Sequence, residues 1–303
     1  MQTDTIACLI CGSEKTTLTC TGWDRLHFIK GSFDVRKCEV CGSFFRLPRL
    51  QYEHLARFYP VESYKAYAQK QPGLARVVRG LGVIKKRRYV ERLVHPGRLL
   101  DVGCATGDFL VEMNRHGWDT VGIEPNERAA QLAQERGCRV MVGTLEHAQF
   151  GADSFDVITM WHVLEHVSDP LEQLAAAKRI LKSKGLLIFC VPNLHSLEAK
   201  IFGHLWAGFD VPRHAYAFSR KGLKSLFDQT GFTPVETRSF FGGFNSLCFS
   251  LQFLLDDKCG NVPLRNVVLN IAQSFFSQCL LLPLLRAVDV LGQGSIITYV
   301  LTK

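Results

Sequence analysis

The chain has 303 residues, 47% of them hydrophobic and 21% charged, a balance that builds a sizeable core and excludes a disordered or low-complexity protein. That length accommodates one full α/β domain and a small accessory module. The formal net charge of +8 is compatible with an anionic partner, whether phosphorylated substrate, lipid surface or nucleic acid, and equally with ordinary surface charge.

Met1-Gln2-Thr3-Asp4-Thr5 lacks the basic start and apolar run of a secretory signal, so a cytoplasmic protein with its eleven cysteines reduced is expected. Two knuckles follow, Cys8-Leu9-Ile10-Cys11-Gly12 and Cys38-Glu39-Val40-Cys41-Gly42. Each can place two thiolates on one tetrahedral ion while its glycine lets the backbone turn around the metal. The ligand set Cys8, Cys11, Cys38 and Cys41 predicts a structural zinc in a zinc-ribbon-like module over residues 1–47, with no position left for water. Cys20, between the knuckles, stands outside that set.

Residues 48–96 read as a connector and a basic amphipathic helix. Pro48, Pro60, Tyr52, Tyr59, Tyr64 and Tyr67 mark the connector, which holds one short helix near Glu53 to Phe58. Arg76, Arg79, Lys85, Lys86, Arg87, Arg88 and Arg92 then interleave at near-helical spacing with Val77, Val78, Leu81, Ile84, Tyr89, Val90 and Leu93. Such a helix either covers the sheet with a solvated basic face or meets phosphate or anionic lipid.

From Leu99 the chain alternates strand and helix. The apolar run ending at Asp101 predicts a buried parallel strand, and Asp101-Val102-Gly103-Cys104-Ala105-Thr106-Gly107 turns it into a helix from Phe109 to about His116, closed by Gly117. Gly103 and Gly107 leave the backbone bare at the carboxyl end of that strand, where open α/β sheets bind ligands. The G-x-x-x-G spacing is not the G-x-G-x-x-G of a dinucleotide turn. A second strand, Thr120 to Glu124, ends in a carboxylate about 20 residues past the turn, able to accept both hydroxyls of a ribose. A nucleoside without a pyrophosphate suits this pair of features. Asn126 caps a helix ending at Gly137, Cys138–Val142 forms a third strand and Phe155–Met160 a fourth. Asp169-Pro170-Leu171-Glu172 is a capping box for a helix reaching Gly185, and Leu186–Val191 is a fifth strand. Ser219–Thr230 is a helix closed by Gly231, and Thr233–Ser239 a sixth strand.

The glycine turn with Glu124, together with Ser154-Phe155-Asp156-Val157-Ile158 and Val163-Leu164-Glu165-His166-Val167-Ser168-Asp169-Pro170, resembles class I S-adenosylmethionine-dependent methyltransferases, in the subgroup of ubiquinone-biosynthesis O-methyltransferases. The resemblance covers roughly Leu99 to Phe241 and implies a Rossmann-like seven-stranded α/β sheet. It also implies a donor site: Gly103, Cys104 and Gly107 under the methionine and ribose, Asp101 supporting the turn or contacting the donor's amino group, Glu124 and its neighbour Pro125 at the ribose, Thr144 and Leu145 with Glu146 edging the adenine, and Trp161 facing the same cleft. Related families often carry an acid where Thr144 stands. If the acceptor is a hydroxyl, a base must remove its proton; His162, His166 and His214 are the candidates, and His214, in the Asp210–Ser219 loop that crosses the mouth of the cleft, is the one expected to take it. His166 either organises its loop by a hydrogen bond or contacts the acceptor, and Arg213, beside His214, could neutralise an acceptor phosphate or carboxylate. No second His and carboxylate cluster stands at ligand spacing, so a catalytic metal is not expected.

Residues 244–292 hold an apolar stretch of two or three helices, with Cys279-Leu280-Leu281-Leu282-Pro283-Leu284-Leu285 its most apolar part. No run in it reaches the roughly 20 apolar residues of a membrane span. An extra core layer, a homodimer interface and a peripheral membrane surface at the inner leaflet remain open. Residues 293–303 supply a last strand, which the resemblance inserts antiparallel beside the sixth, closing a core that starts at 97–243. Taken together, the expectation is a methyltransferase acting on a small-molecule or lipid- or glycan-linked anionic acceptor. A nucleic-acid methyltransferase gripping RNA with the zinc module and basic helix is the alternative. It is disfavoured because Thr159-Met160-Trp161-His162 replaces base-methylating signatures and few aromatics accompany the basic residues. A non-catalytic binding protein on the same fold is a third reading.

Overall fold

In the computed structural model, which describes residues 6–59, 73–239, 243–258 and 262–303, the most apolar strands occupy the middle of a mixed sheet, as strands covered on both faces must. The strands are β1 (Thr16–Gly22), β2 (Phe33–Cys38), β3 (Phe44–Leu47), β4 (Arg98–Val102), β5 (Asp119–Glu124), β6 (Val140–Val142), β7 (Phe155–Trp161), β8 (Leu181–Pro192), β9 (Tyr216–Ala217), β10 (Thr233–Ser239) and β11 (Ile296–Thr302). Seven of them form one sheet in the order β10-β11-β8-β7-β4-β5-β6, and four form another in the order β1-β2-β3-β9. This is the seven-stranded sheet that the resemblance implies. β4 runs parallel to both β5 and β7, and β5 to β6. Pro234 lies in β10, at the sheet edge, where a missing N–H is tolerated.

The chain divides into two compact units. The first comprises Met1–Leu50, Cys190–Leu226 and Glu236–Tyr299, and the second Gln51–Phe189, Phe227–Val235 and Val300–Lys303.

In the second unit the helices are α1 (Tyr52–Leu55), α2 (Gly73–Leu93), α3 (Asp108–Asn114), α4 (Glu127–Glu135) and α5 (Pro170–Ile180). Their starts follow from local chemistry: Asn126 accepts from the Ala129 N–H to cap α4, and Asp169 accepts from Leu171 and Glu172 with Pro170 at the first helical position. α5 stops at Ile180, five residues short of Gly185. Leu181 is fully buried and Lys182 reaches Asp156 of β7 at 2.9 Å, so tertiary contacts draw these residues into β8 against their helical pattern. α2 buries Tyr89 and Val90, and Arg87 is bonded to Glu112 of α3 at 2.9 Å. The tyrosines Tyr64 and Tyr67 lie outside the described residues.

In the first unit β3 pairs antiparallel with β9 through Phe44↔Ala217 and Phe45↔Tyr216, and the Ser219 N–H donates to Ser43 Oγ at 3.0 Å. The cysteine segment is thereby built into the chain that follows β8 and does not stand as a separate bead. The remaining helices are α6 (Leu197–Phe202), α7 (Arg220–Thr230), α8 (Gly243–Lys258), α9 (Val262–Ala272) and α10 (Phe275–Val290). Buried Glu198 collects the hydroxyls of Ser246, Ser250 and Ser295, which ties α6 to α8 and to the chain before β11. α10 runs on through Pro283. The carbonyl that Pro283 leaves without a helical donor belongs to Cys279, an exposed residue that water can serve. Leu264, Val267, Ile271, Phe276, Leu280 and Leu284 are exposed on α9 and α10. Among the described residues no single helix is long and apolar enough to cross a membrane, although Pro263–Ala272 and Phe276–Val290, bent by 60°, pass that test as a pair.

The strongest polar clamp in this unit is Arg213. Its side chain is 5% exposed, donates to Asp24 Oδ1 at 2.9 Å and binds both oxygens of Asp210 at 2.6 and 2.8 Å. Asp24 in turn accepts the Leu26 and His27 N–H groups at 3.2 Å. Removing one partner of such a buried pair strands the others, so Arg213→Ala is expected to destabilise the protein by about 3 kcal/mol or more. A urea midpoint unchanged from wild type would show that the clamp does not hold the fold.

Candidate active site

The site grows from the carboxyl ends of β4, β5 and β7, all in the second unit. At the end of β4 the Gly103 and Cys104 N–H groups both donate to Ile123 O, at 2.8 and 3.1 Å, which keeps the turn against β5. The turn alternates through the left-handed region at Gly103 (φ +71°), Ala105 (+48°) and Gly107 (+78°). At Gly103 a Cβ would also come within 2.7 Å of Val163, so only glycine fits there without strain. This backbone path aims the Ala105 N–H at Glu124 Oε2 (2.9 Å), while the Asn126 N–H donates to Oε1 (2.9 Å). Glu124 therefore fastens the glycine turn to the end of β5. Burial raises its carboxyl above the ordinary range, and the two N–H bonds oppose that. Each oxygen keeps acceptor capacity for a ligand hydroxyl.

Asp101 lies beneath the turn, 3% exposed, with Oδ1 accepting from Thr159 Oγ1 at 2.6 Å. Burial pushes its pKa up to about 7, and the Thr159 bond only partly offsets this. Cys104 is buried, and burial pushes its thiol up, which suits an inert wall. After β6, Leu145 is buried, Thr144 Oγ1 is hydrogen-bonded to His147 Nδ1 at 2.9 Å, and Glu146 has a buried Oε2 with no hydrogen-bond partner among the described residues. Pro125 lies between the two carboxylate-bound residues Glu124 and Asn126 and is half-buried.

At the end of β7, Trp161 is buried edge-on against Phe109, with ring centroids 5.7 Å apart. The next residue, His162, adopts φ +59°, unusual for a side chain with a Cβ, and its Nδ1 is 3.2 Å from Oε1 of fully buried Glu165. This contact orients the imidazole through Nδ1. His166 Nδ1 is 2.8 Å from the Tyr59 hydroxyl, so its bond reaches back to the connector.

The segment before β4 supplies groups to this site that sequence patterning left as connector and basic face. Tyr52 is hydrogen-bonded to Asn126, and burial, then the nearby Glu124 charge, push its phenol up to about 12. Arg79 donates to Thr106 Oγ1 at 3.2 Å and pairs with Asp108, and Lys86 sits 4.9 Å from the Trp161 ring centroid. These cations of α2 are engaged inside the unit, and that use had no sequence signal beyond the crowding of tyrosines and basic residues.

The other expected residues belong to the first unit. His214 Nδ1 is 2.8 Å from the Gly208 carbonyl, which can only accept, so Nδ1 carries the proton. Arg213, expected at an acceptor's phosphate, is instead enclosed by Asp24 and Asp210. Two carboxylates already pair with its guanidinium, which fixes it in its loop. The thiols of Cys8, Cys11, Cys38 and Cys41 all lie within 4.8 Å of one another, with Cys8–Cys41 at 3.8 Å and Cys11–Cys38 at 3.6 Å. Those spacings are far beyond a disulfide bond, about 2.05 Å. They match the roughly 3.8 Å edge of a sulfur tetrahedron with metal–sulfur bonds of about 2.3 Å. Gly12 (φ +72°) and Gly42 (φ +75°) turn the backbone at both knuckles, and their N–H groups donate to Cys8 O and Cys38 O at 2.8 Å.

The model of the methyltransferase domain family matches residues 83–237, half of the chain. The chain belongs to that family. It is a class I S-adenosylmethionine-dependent methyltransferase. The ubiquinone biosynthesis O-methyltransferase of Hahella chejuensis is 33% identical over 165 residues, covering 47% of this chain and 69% of that protein. The one from a Ruegeria species is 32% identical over 163 residues, 47% of this chain and 63% of the relative. Two solved structures share the fold: a SAM-dependent methyltransferase from Thermotoga maritima (TM-score 0.52, 22% identity, 84% of this chain and 100% of that one) and one from Archaeoglobus fulgidus (TM-score 0.51, 20% identity, 74% and 94%). S-adenosylmethionine is the cofactor of this family.

The raised Asp101 makes a signed prediction for the methyltransferase. The folded protein keeps a proton that the unfolded chain releases, so this group's stabilisation is present below the ordinary aspartate pKa and is lost as pH rises through about 7. Asp101→Asn removes that loss while keeping an oxygen for Thr159. Its Tm relative to wild type should therefore rise steadily from about pH 5 to about pH 8 in thermal melts. A difference independent of pH would mean that Asp101 is ionised throughout.

Proposed function

We propose that this methyltransferase moves a methyl group from S-adenosylmethionine to a hydroxyl oxygen of a small-molecule or lipid- or glycan-linked acceptor. The observation that carries the donor site is Glu124, held rigid by the Ala105 and Asn126 N–H groups at the end of β5 with acceptor capacity left over. That arrangement suits the two ribose hydroxyls. The bare backbone at Gly103 suits the methionine portion, and the unpartnered Oε2 of Glu146 suits an amino group such as that of adenine. Bound there, S-adenosylmethionine supplies an electrophilic methyl carbon on a sulfonium. The residues of this chain then orient the pair and remove a proton from the acceptor.

For that proton the reading favours His162. Its placement at the end of β7, its left-handed backbone and the Glu165 carboxylate on Nδ1 leave Nε2 as the basic nitrogen, the pairing by which a carboxylate orients a general base. His214, on the Gly208 carbonyl, is read as a loop-holding residue. Transfer to oxygen is supported by the relatives named as ubiquinone biosynthesis O-methyltransferases, which are about 30% identical. The exposed apolar side chains of α9 and α10 support a lipid-linked acceptor drawn from a membrane surface.

Calorimetric titration with S-adenosylhomocysteine tests the donor site. Glu124→Ala should weaken binding by about tenfold or more, since a charged acceptor of hydroxyl hydrogen bonds contributes about 1.5–3 kcal/mol. His162→Gln should leave the affinity within about twofold, because its role concerns the acceptor. Normal affinity in the Glu124 variant would remove that residue from the site.

The four-cysteine cluster is read as a structural zinc site, its sulfur geometry being the supporting observation. The chain purified without chelator should carry about one zinc per molecule, lost in a Cys38→Ser, Cys41→Ser double variant together with a marked fall in Tm. Metal content unaffected by the double substitution would overturn the assignment.

A further inference from the structure

A recess of about 740 Å³ opens on the first unit beside the second cysteine knuckle. Its walls carry Lys37 of β2, Lys200 of α6, and Arg220 and Lys221 of α7, with His195 among them. No Asp or Glu lines it, and none of the four cations makes an ion pair among the described residues. Elsewhere Arg87, Arg136, Lys182, Arg213 and Arg265 each reach a carboxylate. Lys37, Lys200, Arg220 and Lys221 thus share one concave wall without a carboxylate among its lining residues, which also include Cys41 of the thiol cluster.

The helix beneath sharpens the point. α7 begins at Arg220, and Ser219 caps it by accepting the Gly222 N–H at 2.8 Å. The first turn of a helix is where carboxylates are stabilising and cations are not, because the peptide dipoles leave positive charge there. α7 has no acid in its first turn and places two cations there. Lys200 and Arg220 also act on His195: burial first, then these two charges, hold its imidazole below the ordinary value. Like charges arranged this way repel one another, and a bound anion relieves the repulsion. The volume is that of a small-molecule site and exceeds what a lone phosphate fills. No Phe, Tyr or Trp ring lines the walls to stack a nucleobase, whereas Gln293 brings a polar side chain.

We infer that this recess binds a phosphate-bearing small ligand, its phosphoryl oxygens held by Lys37, Lys200, Arg220 and Lys221. This inference is independent of the methyl-transfer reading, because neither the donor site nor the base enters it.

The test is calorimetric titration of the full chain with inorganic pyrophosphate at constant chloride, for wild type and for a Lys200→Ala, Arg220→Ala double variant. S-adenosylhomocysteine is titrated in parallel as a separate readout of folding and of the donor site. Both substituted side chains are exposed, so the fold does not rest on them. The expected result is saturable one-site binding to wild type, weakened about tenfold or more in the double variant, with the homocysteine affinity unchanged. Vesicles containing phosphatidic acid complete the experiment: competition with pyrophosphate assigns the phosphate to a lipid headgroup, and its absence assigns it to a soluble ligand. Heats that never saturate at millimolar pyrophosphate, or binding equally strong in the double variant, would overturn the proposal whatever the donor titration shows.

Discussion

The bond between Glu124 and the Ala105 N–H organises the catalytic half of this protein. A glycine turn alone has many conformations open to it. Here the backbone is driven into the left-handed region at three alternate residues, and the carboxylate at the end of the neighbouring strand receives the N–H that this path presents. The parallel pairing of β4 with β5, Asp101 opposite Gly122 and Val102 opposite Ile123, sets the distance at which that bond closes. Because the same carboxylate also holds Asn126, which caps α4, one side chain couples the turn, the strand end and the next helix. A ligand that engages the remaining acceptor capacity of Glu124 binds to a support already immobilised, so little ordering is left to be done on binding.

The other half depends on a different device. Its chain comes from three separated stretches, and polar bonds join them where no continuous hydrophobic strand does: Arg213 between Asp24 and Asp210, Ser219 on Ser43, and Glu198 among three serines. Buried charges are costly unless their partners are complete, and here each has a full set of partners, which favours one arrangement of the loops over others. The four thiols complete the same pattern at the amino-terminal end, a cluster whose spacing suits a metal and whose two knuckles turn at glycines.

Several elements were legible in the residues alone because their signals are local. The strand ending at Asp101, the capped helices after Asn126 and Asp169, and the cysteine knuckles each depend on neighbours within a few positions. The apolar stretch was legible as helices for the same reason, as its periodic apolar residues became α8, α9 and α10. Where the pattern misled, a distant contact had intervened. Lys182 and Leu181 continue a helical pattern but are taken into β8 by Asp156 and by burial. Arg213 looks like an anion receptor next to a histidine, and only the arrival of Asp24, far away in sequence, shows that its charge is already neutralised.

The sequence by itself determined the family, the βα alternation and the positions of the glycine turn and the acidic strand end, because spacing along one chain is enough to specify a turn, a cap or a pair of knuckles. Only the tertiary structure decided which side chains meet. It brought Tyr52 to Asn126, Lys86 to Trp161, Tyr59 to His166, and four cations around one recess. The physical reason is that hydrogen bonds and charge interactions act over a few ångströms in space whatever the separation in sequence, so their partners become visible only when the fold has closed.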